Sequence, residues 1–425
     1  HNYLTIFGII YLVLNKGGFS MNTTAIVAEY NPFHNGHKFH LRSARKATSS
    51  DYIFAVMSPS FVQRGECAIY DKWTRTRATL RGGADMVIEL PVMYSTASAE
   101  NFARGAVKII ASSGIADNIA FGAETNDLSA LTAAAELLVN PTDNFTEILK
   151  SELSKGVSFP SARAAAYSTE TGKSPEILST SNNILAVEYL KALKMFSSNI
   201  KPVITKRTGS EYNSNTVNGA IASASAVRRV IYKGKTHLLN QTVPPECFDI
   251  YEKAAPVYMD NFSDAMAYLL RTMSADDIKE ISGISEGLEN RILKTVGNSY
   301  KISDICAELK TKRYTHTRLM RIMCHMLLGI TKEYEQKFSP SEFEPYIRVL
   351  GFRKSAETLV SSLCRSSSVP VIMNVNKDER SLSDVQRSLL ELEKKATNVY
   401  CLGLPTPSAK KLALDYTMPV IVENL

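Results

Sequence analysis

The chain has one tryptophan in 425 residues and no apolar run long enough to cross a bilayer. A spanning helix needs about 20 consecutive apolar residues, and the best candidate, Tyr3–Leu14, has twelve. No basic residue precedes that stretch and no small-residue cleavage site follows it, so it does not read as a signal peptide. Residues 1–20 are read as an upstream extension, a short surface helix being the alternative, because Met21 stands just before the first core-strand pattern at Thr24–Ala28. The six cysteines lie far apart with no C-x-x-C pair, which excludes a disulfide scaffold and a Cys-based zinc site. Free thiols in a reducing cytoplasm are expected. A Walker A loop and a G-x-G-x-x-G turn are both missing, which disfavours P-loop and dinucleotide-binding folds. There is no internal repeat and no low-complexity linker.

What is present begins with length, which predicts two or three domains. From Thr24 to Lys206 short apolar runs alternate with amphipathic stretches. The expected strands are Thr24–Glu29, Tyr52–Met57, Met86–Leu90, Asn118–Gly122 and Pro202–Lys206. The expected helices between them are Gly36–Ala47, Lys72–Arg81, Ser98–Ser113 and Ser129–Leu138. This alternation predicts a doubly wound α/β domain with a parallel sheet, whose ligands sit beyond the carboxyl ends of the strands. Residues 141–200 read as helical, including Asn182–Met195. A polar loop, Gly209–Gly219, leads to Ile221–Tyr232, where Ser223 or Ser225 could cap a helix carrying Arg228 and Arg229. The expected division is an ATP-binding domain over 21–240, a helical region over 241–338 and a mixed α/β region over 339–425. The last contains strand-like runs at Val369–Val375 and Met418–Val422.

Three of the seven histidines, His34, His37 and His40, follow the first strand directly. A strand, a turn holding Asn31-Pro32, and His-x-Gly-His opening a helix suit a nucleotide. The helix N-terminus offers free N–H groups and partial positive charge to phosphates, and Gly36 lets a ligand approach the backbone. His34 and His37, three apart, could face the same way and donate to an α-phosphate as its charge builds. A zinc site would need further ligands that no nearby Cys or H-E-x-x-H pattern supplies.

The segment Asn31-Pro-Phe-His-Asn-Gly-His37 resembles the H-x-G-H signature of the nucleotidyltransferase and class I aminoacyl-tRNA synthetase-like superfamily. Ile221-Ala-Ser-Ala-Ser-Ala-Val-Arg228 is similar to its second phosphate-binding motif, a Ser-rich turn ending in Arg. More narrowly, the chain from Met21 resembles the bacterial tRNA(Met) cytidine acetate ligase family. The matching stretches are Val27–His37, Phe61–Trp73, Glu89–Val107, Phe121–Glu124, Asn182–Leu185 and Tyr346–Phe352. Two positions depart from that pattern: Pro59-Ser60 stands where Gly-Asn is expected, and Cys67 where Pro is. The resemblance implies a Rossmann-like nucleotidyltransferase domain. It also implies an ATP site lined by Val27, Ala28, Glu29, Tyr30, Asn31, Pro32, Phe33, His34, Asn35, Gly36, His37, Lys38, Phe39, His40, Gly122, Asn183 and Arg207. Ser223, Ser225 and Arg228 are candidates for holding pyrophosphate. Implied partners are Mg²⁺-bearing ATP, acetate and elongator tRNA(Met), with no membrane and no obligate protein partner.

Two basic segments bear on RNA. Phe61–Arg77 carries Arg64, Lys72, Arg75, Arg77 and Trp73, a basic and aromatic mixture that suits RNA. For Trp73 a place in the core is the better reading, and Arg64 is the better RNA candidate. Lys310–Arg321 holds Lys310, Lys312, Arg313, Arg318 and Arg321 without an acidic residue, and Leu319, Met320 and Ile322 give it an apolar side. Such a run beside a nucleotide-binding domain points to nucleic acid more than a charge run usually does. Three functions remain open at this stage: a ligase acting on RNA through an acyl-adenylate, a nucleotidyltransferase acting on a small phosphorylated metabolite, and a non-catalytic RNA binder. The large basic appendage favours the first.

Overall fold

A computed structural model describes residues 21–206, 223–285, 287–295, 299–312 and 314–425. The extension over 1–20, the loop Gly209–Gly219, Arg207 and Arg313 lie outside the described residues. The first half builds β1 (Thr23–Ala28), α1 (Asn35–Thr48), β2 (Tyr52–Met57), α2 (Lys72–Gly82), β3 (Met86–Glu89), α3 (Ala99–Ser113), β4 (Asn118–Ala123), α4 (Leu128–Val139), α5 (Ser181–Met195) and β5 (Lys201–Lys206). These match the expected elements to within two residues at each end.

Side-chain alternation explains why helices cover both faces. Successive strand residues point to opposite sides of a sheet. In β2 Phe54 and Val56 enter one buried cluster, while Ile53, Ala55 and Met57 enter the other. In β1 Ala25 and Ile26 divide the same way. The first cluster includes buried residues of α3 and α5, and the second includes those of α1, α2 and α6 (Ala224–Tyr232).

The strand order is β5-β4-β1-β2-β3, all parallel. It then departs from expectation. β6 (Ile347–Arg353) pairs antiparallel with β3, and β7 (Val371–Ile372) and β8 (Ile421–Glu423) pair parallel with β6. The sheet is therefore mixed, and the strands of region 339–425 extend the sheet of the first domain. β6 is uniformly apolar apart from Arg348 and Arg353, as a strand buried on both faces must be, so it lacks the alternating pattern that marks a half-buried strand. Of the run Val369–Val375 only Val371–Ile372 is strand, and Val375 begins a short helix.

Arg348 on β6 is neutralised inside the protein. It contacts Asp415 Oδ1 at 2.6 Å and Glu89 Oε2 at 3.2 Å. Lys72 of α2 reaches Glu89 at 2.6 Å, Asp415 at 2.7 Å and Glu393 at 3.5 Å. Glu393, on α8 (Asp384–Leu402), also accepts from Val92 N–H at 2.7 Å. This buried group joins α2, β3, β6 and the C-terminal segments.

The helices of region 241–338 continue the first cluster without a break, through Phe262, Ile305, Met323 and Leu328. α7 (His316–Leu328) is capped by Thr315 and buries Leu319, Met320 and Ile322, the apolar side expected of the basic run. Its His325 lies with Nδ1 3.3 Å from Ser282 O and Nε2 3.2 Å from Thr96 O. Burial pushes this imidazole down to about 4 against the opposing pull of the two carbonyls, and the ring bridges α7 to the segment after β3.

Candidate active site

In the order β5-β4-β1-β2-β3 the chain leaves β1 toward β2 and later returns to its other side as β4. The crevice beyond the carboxyl ends of β1 and β4 is thus the switch point where such sheets bind ligands. Residues Glu29–His37 and the loop after Ala123 border it.

The loop after β1 is held from several directions. Fully buried Arg75 donates from Nη1 to Glu29 O at 2.7 Å and Ser58 O at 2.9 Å. Its Nε donates to Tyr70 O at 2.9 Å, and Nη2 to Pro59 O. One guanidinium therefore fixes the loops after β1 and β2 together. Asn31 Oδ1 accepts from Ile69 N–H at 2.7 Å, and Tyr251 Oη donates to Phe33 O at 3.1 Å. Phe33 lies against Gly82, where a Cβ would come within 2.1 Å of its ring. The sequence does not mark Arg75 or Tyr251 as a loop anchor, because the contacts that hold the loop after β1, Arg75 to Glu29 O and Tyr251 to Phe33 O, join distant parts of the chain.

The two histidines are placed by the helix they open. His34 is the N-cap of α1, and its Nδ1 accepts from Gly36 N–H at 3.0 Å. His37 Nδ1 accepts from His34 N–H at 3.3 Å. With each Nδ1 an acceptor, each neutral ring carries its proton on Nε2. The rings stack with centroids 3.7 Å apart and 26° between planes, and Tyr30 meets His37 edge-on at 4.9 Å. The pair stands on a dipole-positive helix end. Lys38 pairs with Glu246, Asn35 donates to Gln241 O at 3.2 Å, and Phe39 is exposed.

The second motif meets the first. Ser223 caps α6 by accepting from Ala226 N–H at 3.2 Å. Arg228 Nη1 donates to Asn31 O at 2.9 Å, while Nη2 lies 3.4 Å from Glu66 Oε2 and from Ser225 Oγ. Glu29 Oε1 accepts from Gln63 N–H at 3.1 Å. Burial raises the Glu29 carboxyl against the opposing pull of Arg228 and Arg64.

Asn183 is fully engaged with protein. Its Oδ1 accepts from Glu124 N–H at 2.9 Å and Thr125 N–H at 3.1 Å, and its Nδ2 donates to Glu176 O at 3.2 Å. Glu124 in turn accepts from Asn182 and Asn183 N–H at the start of α5. Asn183 thus shapes the loop after β4 that borders the crevice, and Gly122 sits half-buried on β4.

Of the basic residues in Phe61–Arg77, Lys72 and Arg75 are wholly buried and cannot meet RNA. Trp73 is in the core, as expected. Arg64 is exposed. Its neighbour Gly65 has φ +76° and packs on α7, where a Cβ would lie 2.2 Å from Arg321 N and 2.4 Å from Met320 C. Gly65→Ala forces a left-handed alanine into backbone atoms, so unfolding measurements should show a loss of at least about 2 kcal/mol. A neutral result would mean that the Phe61–Cys67 loop is not docked on α7. That docking brings Arg64 and Arg321 into one neighbourhood, and burial, then Arg318, lowers the Arg321 guanidinium. Arg318 is partly committed to structure, donating to Gly283 O at 3.0 Å and Ser285 Oγ at 2.9 Å over the Tyr314 ring. Lys310 and Lys312 are exposed.

Among the described residues no group of three or more His, Cys, Asp or Glu side chains could hold a metal ion, and no helix is long and apolar enough to cross a membrane. The cysteines are free thiols.

This geometry has counterparts. The family model described as HIGH Nucleotidyl Transferase matches residues 21–414. A tRNA(Met) cytidine acetate ligase of Acetivibrio thermocellus is 37% identical over 414 residues, covering 95% of this chain and all of the relative. One from a Thermoanaerobacter species is 40% identical over 408 residues, covering 94% of this chain and all of the relative. The chain belongs to the tRNA(Met) cytidine acetate ligase family. A crystal structure of Thermotoga maritima TmcAL bound with alpha-thio ATP superposes with a TM-score of 0.88 at 32% identity, over 95% of this chain and all of that one. The apo form gives 0.89 at the same identity and coverage. Membership places the H-x-G-H helix start in a family with a nucleotide-bound structure.

Proposed function

We propose that the chain is an ATP-dependent ligase that activates acetate as acetyl-adenylate and transfers the acetyl group to N4 of the wobble cytidine of elongator tRNA(Met), in the cytoplasm. The observation that carries this reading is the stacked His34–His37 pair at the start of α1, with each Nδ1 accepting a backbone N–H, in a chain of this family. ATP lies along Val27–His40, with Gly36 against the nucleotide and the loop shaped by Asn183 on its other side. Arg207 is an expected phosphate partner. The acetate oxygen attacks the α-phosphorus in line, and pyrophosphate leaves toward Ser223, Ser225 and Arg228. His34 and His37 hydrogen-bond the α-phosphate oxygens as their charge grows. Mg²⁺ is proposed to travel with the triphosphate and neutralise its charge. The cytidine amine then attacks the acyl carbonyl and AMP departs. An acyl-adenylate is activated enough for positioning to supply much of this second step.

Incubation with ATP and a panel of short carboxylates, followed by pyrophosphate exchange, tests the first half-reaction. Exchange should depend on acetate. Exchange driven only by a phosphorylated metabolite would overturn the reading.

The RNA is proposed to lie across Arg64, Lys310, Lys312, Arg313, Arg318 and Arg321. Each phosphate neutralised contributes about 0.7–0.9 to the slope of log affinity against log salt. Replacing exposed Lys310 and Lys312 together with Ala should therefore flatten that slope by about 1–2 and weaken tRNA binding at low salt. An unchanged slope would mean that this face is only solvated.

A further inference from the structure

α6 divides into two faces. Ala226, Val227, Val230 and Ile231 are buried, while Ser225, Arg229 and Tyr232 are exposed and Arg228 lies between. The exposed stripe begins at the crevice, where Arg228 holds Asn31 O, and ends about one helical turn further out at Tyr232. Tyr232 is 72% exposed. It is met by a second tyrosine from a different part of the chain. Tyr258 stands edge-on to Tyr232, with centroids 5.1 Å apart and 89° between planes.

Tyr258 is not on a loose loop. The preceding residue donates from Val257 N–H to Ile69 O at 2.8 Å, and Tyr258 N–H donates to Asn261 Oδ1 at 2.7 Å. Upstream, Tyr251 is stacked on Tyr70 at 4.9 Å and bonded to Phe33 O of the first motif. The tyrosine pair is therefore fixed relative to the histidines through the same segment. Exposed Lys233 and Lys235 follow directly on α6, with Arg229 one turn before.

We propose that Tyr232, braced by Tyr258, is a stacking platform for an unpaired RNA base next to the one that enters the crevice. A perpendicular neighbour covers at most one face of the Tyr232 ring and fixes its orientation. Every base has a π-face, so an aromatic surface flanked by Lys and Arg suits a single-stranded segment, whose backbone follows the positive charge. A base to be modified must leave its stack, and an aromatic surface beside the pocket stabilises the neighbour it leaves behind. The inference rests on the reading above that the acyl acceptor is an RNA.

The test uses the full chain and an anticodon stem-loop RNA carrying a fluorescent purine analogue beside the target cytidine. Stacking on Tyr232 should quench the analogue on binding. Tyr232→Ala should abolish the quenching and weaken binding about 5- to 150-fold, the range for one base–aromatic stack. Tyr232→Trp should retain both. The Ala truncation removes little buried surface, so a matching thermal midpoint will show that its fold is intact. Quenching and affinity like the parent in Tyr232→Ala overturn the proposal. So does a Trp variant as defective as Ala, which would point to a hydroxyl contact. Failure of the acetyl-adenylate reading is separate, since it would appear as missing acetate-dependent exchange in the unsubstituted chain.

Discussion

His34→Ala and His37→Ala should each slow acetate-dependent pyrophosphate exchange by about 10²–10³-fold, the usual cost of removing one preorganised donor from a developing oxyanion. The geometry separates the two variants. His34 also caps α1, accepting from Gly36 N–H, so His34→Ala should lose about 1 kcal/mol of stability as well. His34→Asn retains a capping acceptor but shortens the donor, and should restore stability without restoring rate. His37 accepts a longer 3.3 Å bond from His34 N–H, so its loss should cost less stability than that of His34 and fall mainly on kcat. Exchange near the parent rate in both alanine variants would remove the histidines from the chemistry.

Lys72→Met should lower unfolding free energy by about 3–5 kcal/mol, measured as a shifted denaturant midpoint, because it removes one of the two buried cations, Lys72 and Arg348, that Glu89 and Asp415 share. The Lys72 and Glu89 side chains are both 0% exposed, so water cannot compensate. Charge counting gives a pH signature. Two cations, Lys72 and Arg348, face three carboxyls, Glu89, Asp415 and Glu393. Burial and then Glu89 push Glu393 up to about 8, so at neutral pH it keeps its proton and the group balances. Burial opposes ionisation of Asp415 too, but Lys72 and Arg348 outweigh it and hold that carboxyl below its usual range. The Glu393 contribution is complete below its unfolded value of about 4.3 and is lost as pH rises through about 8. The Asp415 contribution runs the other way, present above about 3.9 and lost in acid. Glu393→Gln should therefore lose less stability than the parent between neutral pH and pH about 9. An equal loss would mean that Glu393 is ionised at neutral pH.

The legible parts of this fold were those with local signals. β1 to β5 and the helices between them announce themselves by periodicity, caps and spacing, and the histidine cluster by its place after the first strand. β6 was missed as a strand because burial on both faces erased its alternation, leaving it resembling any apolar run. Its antiparallel pairing with β3 joins residues about 260 apart, which no window can see. Lys72 and Arg75 looked like RNA ligands because a basic side chain in a sequence carries no mark of burial. Only the partners, Glu89, Asp415 and four backbone carbonyls, distinguish them from Arg64. Asn183 was expected to line the ATP site, and its amide contacts are to backbone groups of Glu124, Thr125 and Glu176. The tyrosine pair has no local signal, since Tyr232 and Tyr258 meet only through the fold.

The central claim is that one chain couples adenylation of a carboxylate to acylation of a tRNA base. It is tested most directly by incubating the full chain with ATP, Mg²⁺, isotopically labelled acetate and an elongator tRNA(Met) transcript, then digesting the RNA for mass spectrometry. The account predicts label on a single cytidine as one acetyl group, with AMP and pyrophosphate released in step and all three lost in His37→Ala. Adenylate transferred intact to a small metabolite, or ATP consumed with no label in the RNA, would contradict it.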